Sequence, residues 1–92
     1  MDGSIGGGPI DAQARLTFSN LQRAVAAAGG AMHDVAQVLI YMKDATHMST
    51  IDRIYREFFT DPYPNRSSVV VAGFVHPEML IEIVAYVALS WN

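Results

Sequence analysis

Residues 79–89 read Met-Leu-Ile-Glu-Ile-Val-Ala-Tyr-Val-Ala-Leu, a stretch in which Glu82 is the one charged residue. The run is far shorter than the roughly 20 apolar residues that a helix needs to cross a bilayer, and its β-branched and aromatic content favours a strand. Alternation puts Ile81, Ile83, Ala85, Val87 and Leu89 on one face, and Glu82, Val84, Tyr86 and Ala88 on the other. The first face suits a cover of helices. The second is too apolar for bulk water, because a sheet with one wet face alternates cleanly between apolar and polar residues. Another subunit is therefore expected to cover it. The composition agrees: 51% of residues are hydrophobic and 16% charged, an apolar surplus for a chain of 92 residues, which has room for a single small domain.

Upstream, two helices and two further strands are legible. Residues 1–10, rich in glycine, read as a flexible lead-in segment. From Asp11 to Ala28 the chain is rich in helix formers, with Asp11 placed to cap the start and Gly29-Gly30 to end it. Ala14, Phe18, Leu21, Val25 and Ala28 make one apolar stripe along this helix. The segment from Val35 to Met42 reads as a strand that is largely apolar on both sides. A second helix is expected from about Thr50 to Phe59, capped by Ser49 or Thr50, with Ile51, Tyr55 and Phe58 on its stripe. The prolines Pro62 and Pro64 stop that helix and turn the chain into a strand from Arg66 to Phe74. The short link Val75–Glu78 then predicts an antiparallel hairpin between the last two strands. The expected class is α+β, with two helices on one face of a small antiparallel-rich sheet.

Charge and composition narrow the function. The net charge is −3, and the six Arg and Lys residues are scattered, so there is no basic stripe of the kind that nucleic-acid binding requires. No cysteine is present, which excludes disulfides, thiol nucleophiles and thiolate metal sites. His33, His47 and His76 match no zinc spacing, and no metal or cofactor is expected. The first residues have neither the basic nor the apolar region of a secretory signal, and no run is long enough to span a membrane; a cytoplasmic protein is the expectation.

Two charged residues fall inside predicted strands, Arg66 and Glu82. A carboxylate within an apolar strand is costly unless it is hydrogen-bonded, paired or functional, and both a structural ion pair and a ligand site fit the sequence. In the expected hairpin the two lie several strand positions apart, too far for a direct pair, so a small ligand that used both would bind across a subunit boundary. Arg66 offers a planar fork that suits a carboxylate, Glu82 can orient a water, and Ser67 and Ser68 can add hydroxyl donors.

The stretches QARLTFSNLQRAVAAAGG, DVAQVLIYMKD, IDRIYREFF, PNRSSVVVAGF and IEIVAYVAL, in this order, resemble the RidA family of enamine and imine deaminases. The match covers residues 11–89 and rests on Asn20-Leu21, Tyr55, Phe58-Phe59, Pro64-x-Arg66-Ser67 and Ile81-Glu82-Ile83. The resemblance implies a chorismate-mutase-like fold, a homotrimer with clefts between subunits, and cofactor-free hydrolysis of small 2-imino or 2-enamino acids. It places the substrate carboxylate on Arg66, with Ser67 and Ser68 beside it, and the hydrolytic water on Glu82.

The sequence also departs from the family pattern. Asp52 stands where asparagine is common, Ser68 where cysteine is frequent, and Val84 where a second glutamate is common. Family members open with a β-hairpin ending in Ser-Gly-Gln, and Met1-Asp2-Gly3 looks like the stretch just after it. The chain thus reads as lacking that hairpin, through a start placed too far downstream or through natural shortening, and with it an aromatic residue and a serine that line the pocket. This leaves two expectations, a weakened deaminase or an oligomeric module that binds small carboxylates without turnover. The ribonuclease activity attached to some family members is disfavoured by the acidic charge.

Overall fold

The computed structural model describes residues 9–89. Helix α1 (Pro9–Ala27) and helix α2 (Met48–Phe58) lie on one face of a three-stranded sheet formed by β1 (Val35–Met42), β2 (Asn65–Val70) and β3 (Ile81–Val87). Most of the expected flexible lead-in lies outside the described residues. Its last two positions do not fit that expectation, since Pro9 and Ile10 already belong to α1 and Ile10 is buried. Proline suits the first helical turn, where its missing N–H costs nothing. Asp11 accordingly sits inside that turn rather than at the cap.

The α1 stripe packs as the periodicity requires. Ala14, Phe18 and Val25 are buried, Leu21 is partly buried, and Ala28 lies exposed beyond the helix end. Gly29 closes the helix at φ 90°, a left-handed conformation that glycine adopts without strain, and the Gly30 N–H donates to the Val25 carbonyl at 2.9 Å. In α2, Ile51, Ile54 and Tyr55 are buried while Phe58 is only partly so. The helix starts two residues earlier than expected, because the 3-10 turn Ala45–His47 leads directly into it. Neither Ser49 nor Thr50 caps it: the capping position falls on His47, which makes no side-chain cap hydrogen bond, and Asp44 caps the preceding 3-10 turn, accepting from the Thr46 N–H at 2.9 Å.

The sheet corrects the expected hairpin. Its order is β2-β1-β3, with β1 parallel to β2 and antiparallel to β3, so the last two strands never pair. The sheet is mixed. Two physical reasons account for this. Strand, helix and strand in succession make a βαβ unit, and a helical crossover returns the chain parallel to its first strand. In addition β2 ends at Val70 and β3 begins at Ile81, which leaves a longer link than the sequence suggested, long enough to pass over the end of β1. That link is tied to β1 on both sides: the Val71 N–H donates to the Met42 carbonyl (2.8 Å) and the Lys43 N–H to the Leu80 carbonyl (3.2 Å). Gln13 of α1 holds it from the helix layer, donating to the Glu78 carbonyl and accepting from the Leu80 N–H, both at 2.8 Å.

β1 suits the central place because both of its faces are largely apolar, with Gln37, near its start, as its one polar residue. Its Val38, Ile40 and Met42 are completely buried beneath Phe18, Ile51 and Ile54, and Ile81 of β3 joins them. The assignment of faces in β3 holds: Ile81, Ile83 and Ala85 register against Met42, Ile40 and Val38 on the helix side, and Glu82, Val84 and Tyr86 lie on the other.

Candidate active site

Arg66 enters β2 opposite Val38 and therefore projects to the helix face. Its guanidinium is used on every edge. Nε donates to the Ser68 hydroxyl at 3.2 Å, one terminal nitrogen to the Asp52 carboxylate, and the other to the Met48 sulfur at 3.5 Å. The plane is also covered, for the guanidinium carbon lies 4.6 Å from the centre of the Tyr55 ring, a cation–π geometry. Tyr55 in turn stacks on Phe59 (4.6 Å) and Tyr63 (5.9 Å). Asp52, Tyr55, Arg56, Tyr63, Pro64 and Arg66 line an open cleft of about 250 Å³ between α2 and the start of β2.

Two features of this cleft are set by burial and charge. The Tyr55 hydroxyl is buried and has no hydrogen-bond partner among the described residues. Burial raises its pKa above the ordinary value, an effect that the Arg66 charge partly offsets. Asp52 bridges two cations, accepting from Arg66 on one oxygen and from Arg56 on the other at 3.1 Å. The Arg56 contact was legible as an i, i+4 pair. The contact with Arg66 was not, because it depends on how α2 crosses the sheet.

Glu82 lies on the opposite side of the sheet and the other side of β1, opposite Tyr41. It is exposed and has no hydrogen bond or ion pair among the described residues. Two strand spacings and three residues of rise separate it from Arg66, about 14 Å. The expected separation within one chain therefore stands, although it arises from the central position of β1 and not from a hairpin. The serines divide in the same way: Ser68 shares the helix face with Arg66, and Ser67, opposite Leu39, shares the open face with Glu82. Around Glu82 the open face carries Leu39, Tyr41, Val69, Val84 and Tyr86, of which Val69, Val84 and Tyr86 are 44%, 37% and 55% exposed.

Among the described residues no three His, Asp or Glu side chains converge as a metal site, and no helix is long and apolar enough to cross a membrane. The profile of the endoribonuclease L-PSP family matches residues 1–89. The chain belongs to this family, the RidA family. A 2-iminobutanoate/2-iminopropanoate deaminase of Dermatophagoides farinae is 38% identical over 71% of the chain and 51% of its own length. A RutC family protein of Pyrococcus horikoshii is 34% identical over 90% of the chain and 65% of its own length. The chain thus spans about half to two thirds of the curated RidA relatives that it matches.

Solved structures agree on the RidA fold. RidA from a Psychrobacter species superposes with a TM-score of 0.82 at 26% identity, covering 86% of this chain and 63% of that one. E. coli TdcF with bound serine gives a TM-score of 0.81 at 33% identity, covering 88% and 65%. The expected α+β, chorismate-mutase-like class is the one observed.

Proposed function

We propose that this RidA-family chain hydrolyses small 2-imino or 2-enamino acids, without a cofactor, at clefts between the subunits of a homotrimer. The observation that carries the reading is the separation of its two strand charges. Arg66 and Glu82 face opposite sides of one sheet about 14 Å apart, so a molecule of a few atoms reaches both only where two chains meet. Glu82 supports the same reading, being a carboxylate without a partner among the described residues, on a largely apolar face that the two helices leave open. The names of relatives are consistent with it: one is an iminobutanoate deaminase, and TdcF binds serine, a small carboxylate.

The chemistry divides between the two residues. Arg66, held flat on Tyr55, presents terminal N–H groups to the substrate carboxylate, and Ser68 steadies the guanidinium through Nε. Glu82 accepts a proton from a water as the water oxygen attacks C2, the iminium carbon. The C=N π electrons pass to nitrogen; Glu82 then returns its proton to that nitrogen, and the carbinolamine collapses as the C–N bond breaks and its hydroxyl proton goes to the departing amine, giving a 2-oxo acid and NH4+. Ser67, on the face of Glu82, offers a hydroxyl to the same water or to the substrate.

The test is hydrolysis of 2-iminobutanoate, generated in situ by an amino-acid oxidase, by the protein and by its Arg66→Ala and Glu82→Gln variants. Each substitution is expected to lower the rate by about 100-fold or more, the usual scale for a lost acid–base or anchoring group. A rate indifferent to both would sink the mechanism. A second reading, carboxylate binding without turnover, is favoured by the Asp52 carboxylate already seated on Arg66; saturable ligand binding with no hydrolysis by the unaltered protein would select it.

A further inference from the structure

The Arg66 cleft contains a negative charge that the proposed chemistry does not use. Asp52 keeps one oxygen on Arg66 and the other on Arg56, and all three side chains line the cleft together with Tyr55, Tyr63 and Pro64. The carboxylate is not sealed away: its side chain is 34% exposed, against 18% for Arg66. A ligand carboxylate that engages Arg66 therefore arrives beside a fixed carboxylate of the protein.

Taking Arg66 as the carboxylate anchor, we propose that Asp52 determines specificity, making the cleft favour ligands with a positively charged nitrogen next to their carboxylate over bare 2-oxo acids. The argument is local electrostatics. Like charges brought together in a partly desolvated site repel, and an opposite charge on the same ligand cancels that repulsion. In a 2-iminium or 2-amino acid the nitrogen sits on the carbon next to the carboxylate, so a donor accompanies the anion to the place where Asp52 lies. A 2-oxo acid brings only an acceptor there. Arg56 keeps hold of the second Asp52 oxygen, so the carboxylate remains in the cleft when Arg66 turns to a ligand.

The reaction makes this preference useful. Hydrolysis converts R–C(=NH2+)–COO⁻ and water into R–C(=O)–COO⁻ and NH4+, with one C–O double bond formed and the C–N double bond broken. The cation that Asp52 attracts leaves with the nitrogen, and the anion that it repels stays on the product. Asp52 thus discriminates between substrate and product by charge and promotes release of the 2-oxo acid.

Titration calorimetry with L-2-aminobutanoate and 2-oxobutanoate, which share a carbon skeleton, tests this in the unaltered protein and in Asp52→Asn, Arg56→Gln and Arg66→Ala, with circular dichroism to confirm folding. The unaltered protein is expected to favour the amino acid. Asp52→Asn should move the ratio of dissociation constants about tenfold towards the oxo acid, mainly by tightening oxo-acid binding. Arg56→Gln leaves the Asp52 charge less neutralised and should move the ratio about two- to threefold the other way. Arg66-dependent binding of both ligands with a ratio unchanged in Asp52→Asn would overturn the role of Asp52 and leave the anchor intact. If Asp52→Asn fails to fold, an unchanged ratio in Arg56→Gln overturns it equally. Binding that survives Arg66→Ala, or no saturable binding of either ligand, would overturn the anchor and this proposal together.

Discussion

On the helix side of the sheet, Val38, Ile40, Met42 and Ile81 are sealed beneath Phe18, Ile51 and Ile54; one residue along the same strands, Leu39, Tyr41, Val84 and Tyr86 face outward, away from both helices. Both faces are largely apolar, and the described residues cover only one. The charged residues follow suit. Arg66 on the covered side has one contact at each guanidinium nitrogen, with Ser68, Asp52 and Met48, whereas Glu82 on the open side has no partner among the described residues. The contrast separates what folds this chain from what the proposed site still requires. The helix side is complete within one chain, and the open side presents apolar surface and an unused carboxylate to whatever covers it.

Substitutions on the two faces should fail in different ways. The largest effect is expected at Phe18, which is fully buried and packs edge-on against Tyr55 and Phe59. Phe18→Ala should cost about 3–5 kcal/mol, lost transfer energy plus a cavity, and urea denaturation followed by circular dichroism reads it directly. In a domain of this size that is a large part of the total stability. A cost below about 1 kcal/mol would mean that the helix side is not the closed core described above.

On the open side, Val84→Lys should act on association instead. It places a charge in the middle of the exposed apolar surface, where Val84 registers against Leu39. The expected outcome is a fall in sedimenting mass towards that of a single chain, with the helical circular dichroism retained, because exposed positions change the stability of the fold itself by only about 0.5 kcal/mol. An unaltered mass would show that the open face is not the self-association surface and would remove the basis for a shared site.

Much of this division was legible in the residues. The α1 stripe through Ala14, Phe18 and Val25, the Gly29-Gly30 stop, and the two faces of β3 follow from periodicity and from the φ that glycine permits, both of which are local. Strand neighbours are not local. Pairing β2 with β3 failed because the link after Val70 was read as a tight turn, when β2 ends early and the chain passes over the end of β1. A strand largely apolar on both faces, such as β1, was the available signal for a central position. At the site, Arg66 and Glu82 stood out as charges within strands, but the Asp52 contact with Arg66 joins residues fourteen positions apart through the packing of α2 on the sheet, which no sequence spacing encodes.

The smallest expected effect lies at the polar border of the helix side, where α1 meets α2. Asp11 accepts from Arg15 Nε and from an Arg53 terminal nitrogen, both at 2.9 Å, and Arg15 reaches on to Glu57. The Arg53 hydrogen bond first, and the Arg15 one next, hold the Asp11 carboxyl below its ordinary pKa of 3.8. A carboxyl with a lowered folded-state pKa contributes stability that is fully present above its unfolded value and is lost as pH falls through the folded one. Stability should therefore decline as acid is added below about pH 4, and Asp11→Asn should make that decline shallower. The change should be slight, because the arginine partners are 44% and 47% exposed and water screens both contacts. It should also be incomplete, because Asp44, lowered by its hydrogen bonds to Thr46, still titrates in the variant. Urea midpoints of the two proteins from pH 2 to 7 provide the measurement. Parallel curves would show that the Asp11 contacts do not hold the two helices together, and the covered side would then rest on its apolar core and the Arg15–Glu57 pair.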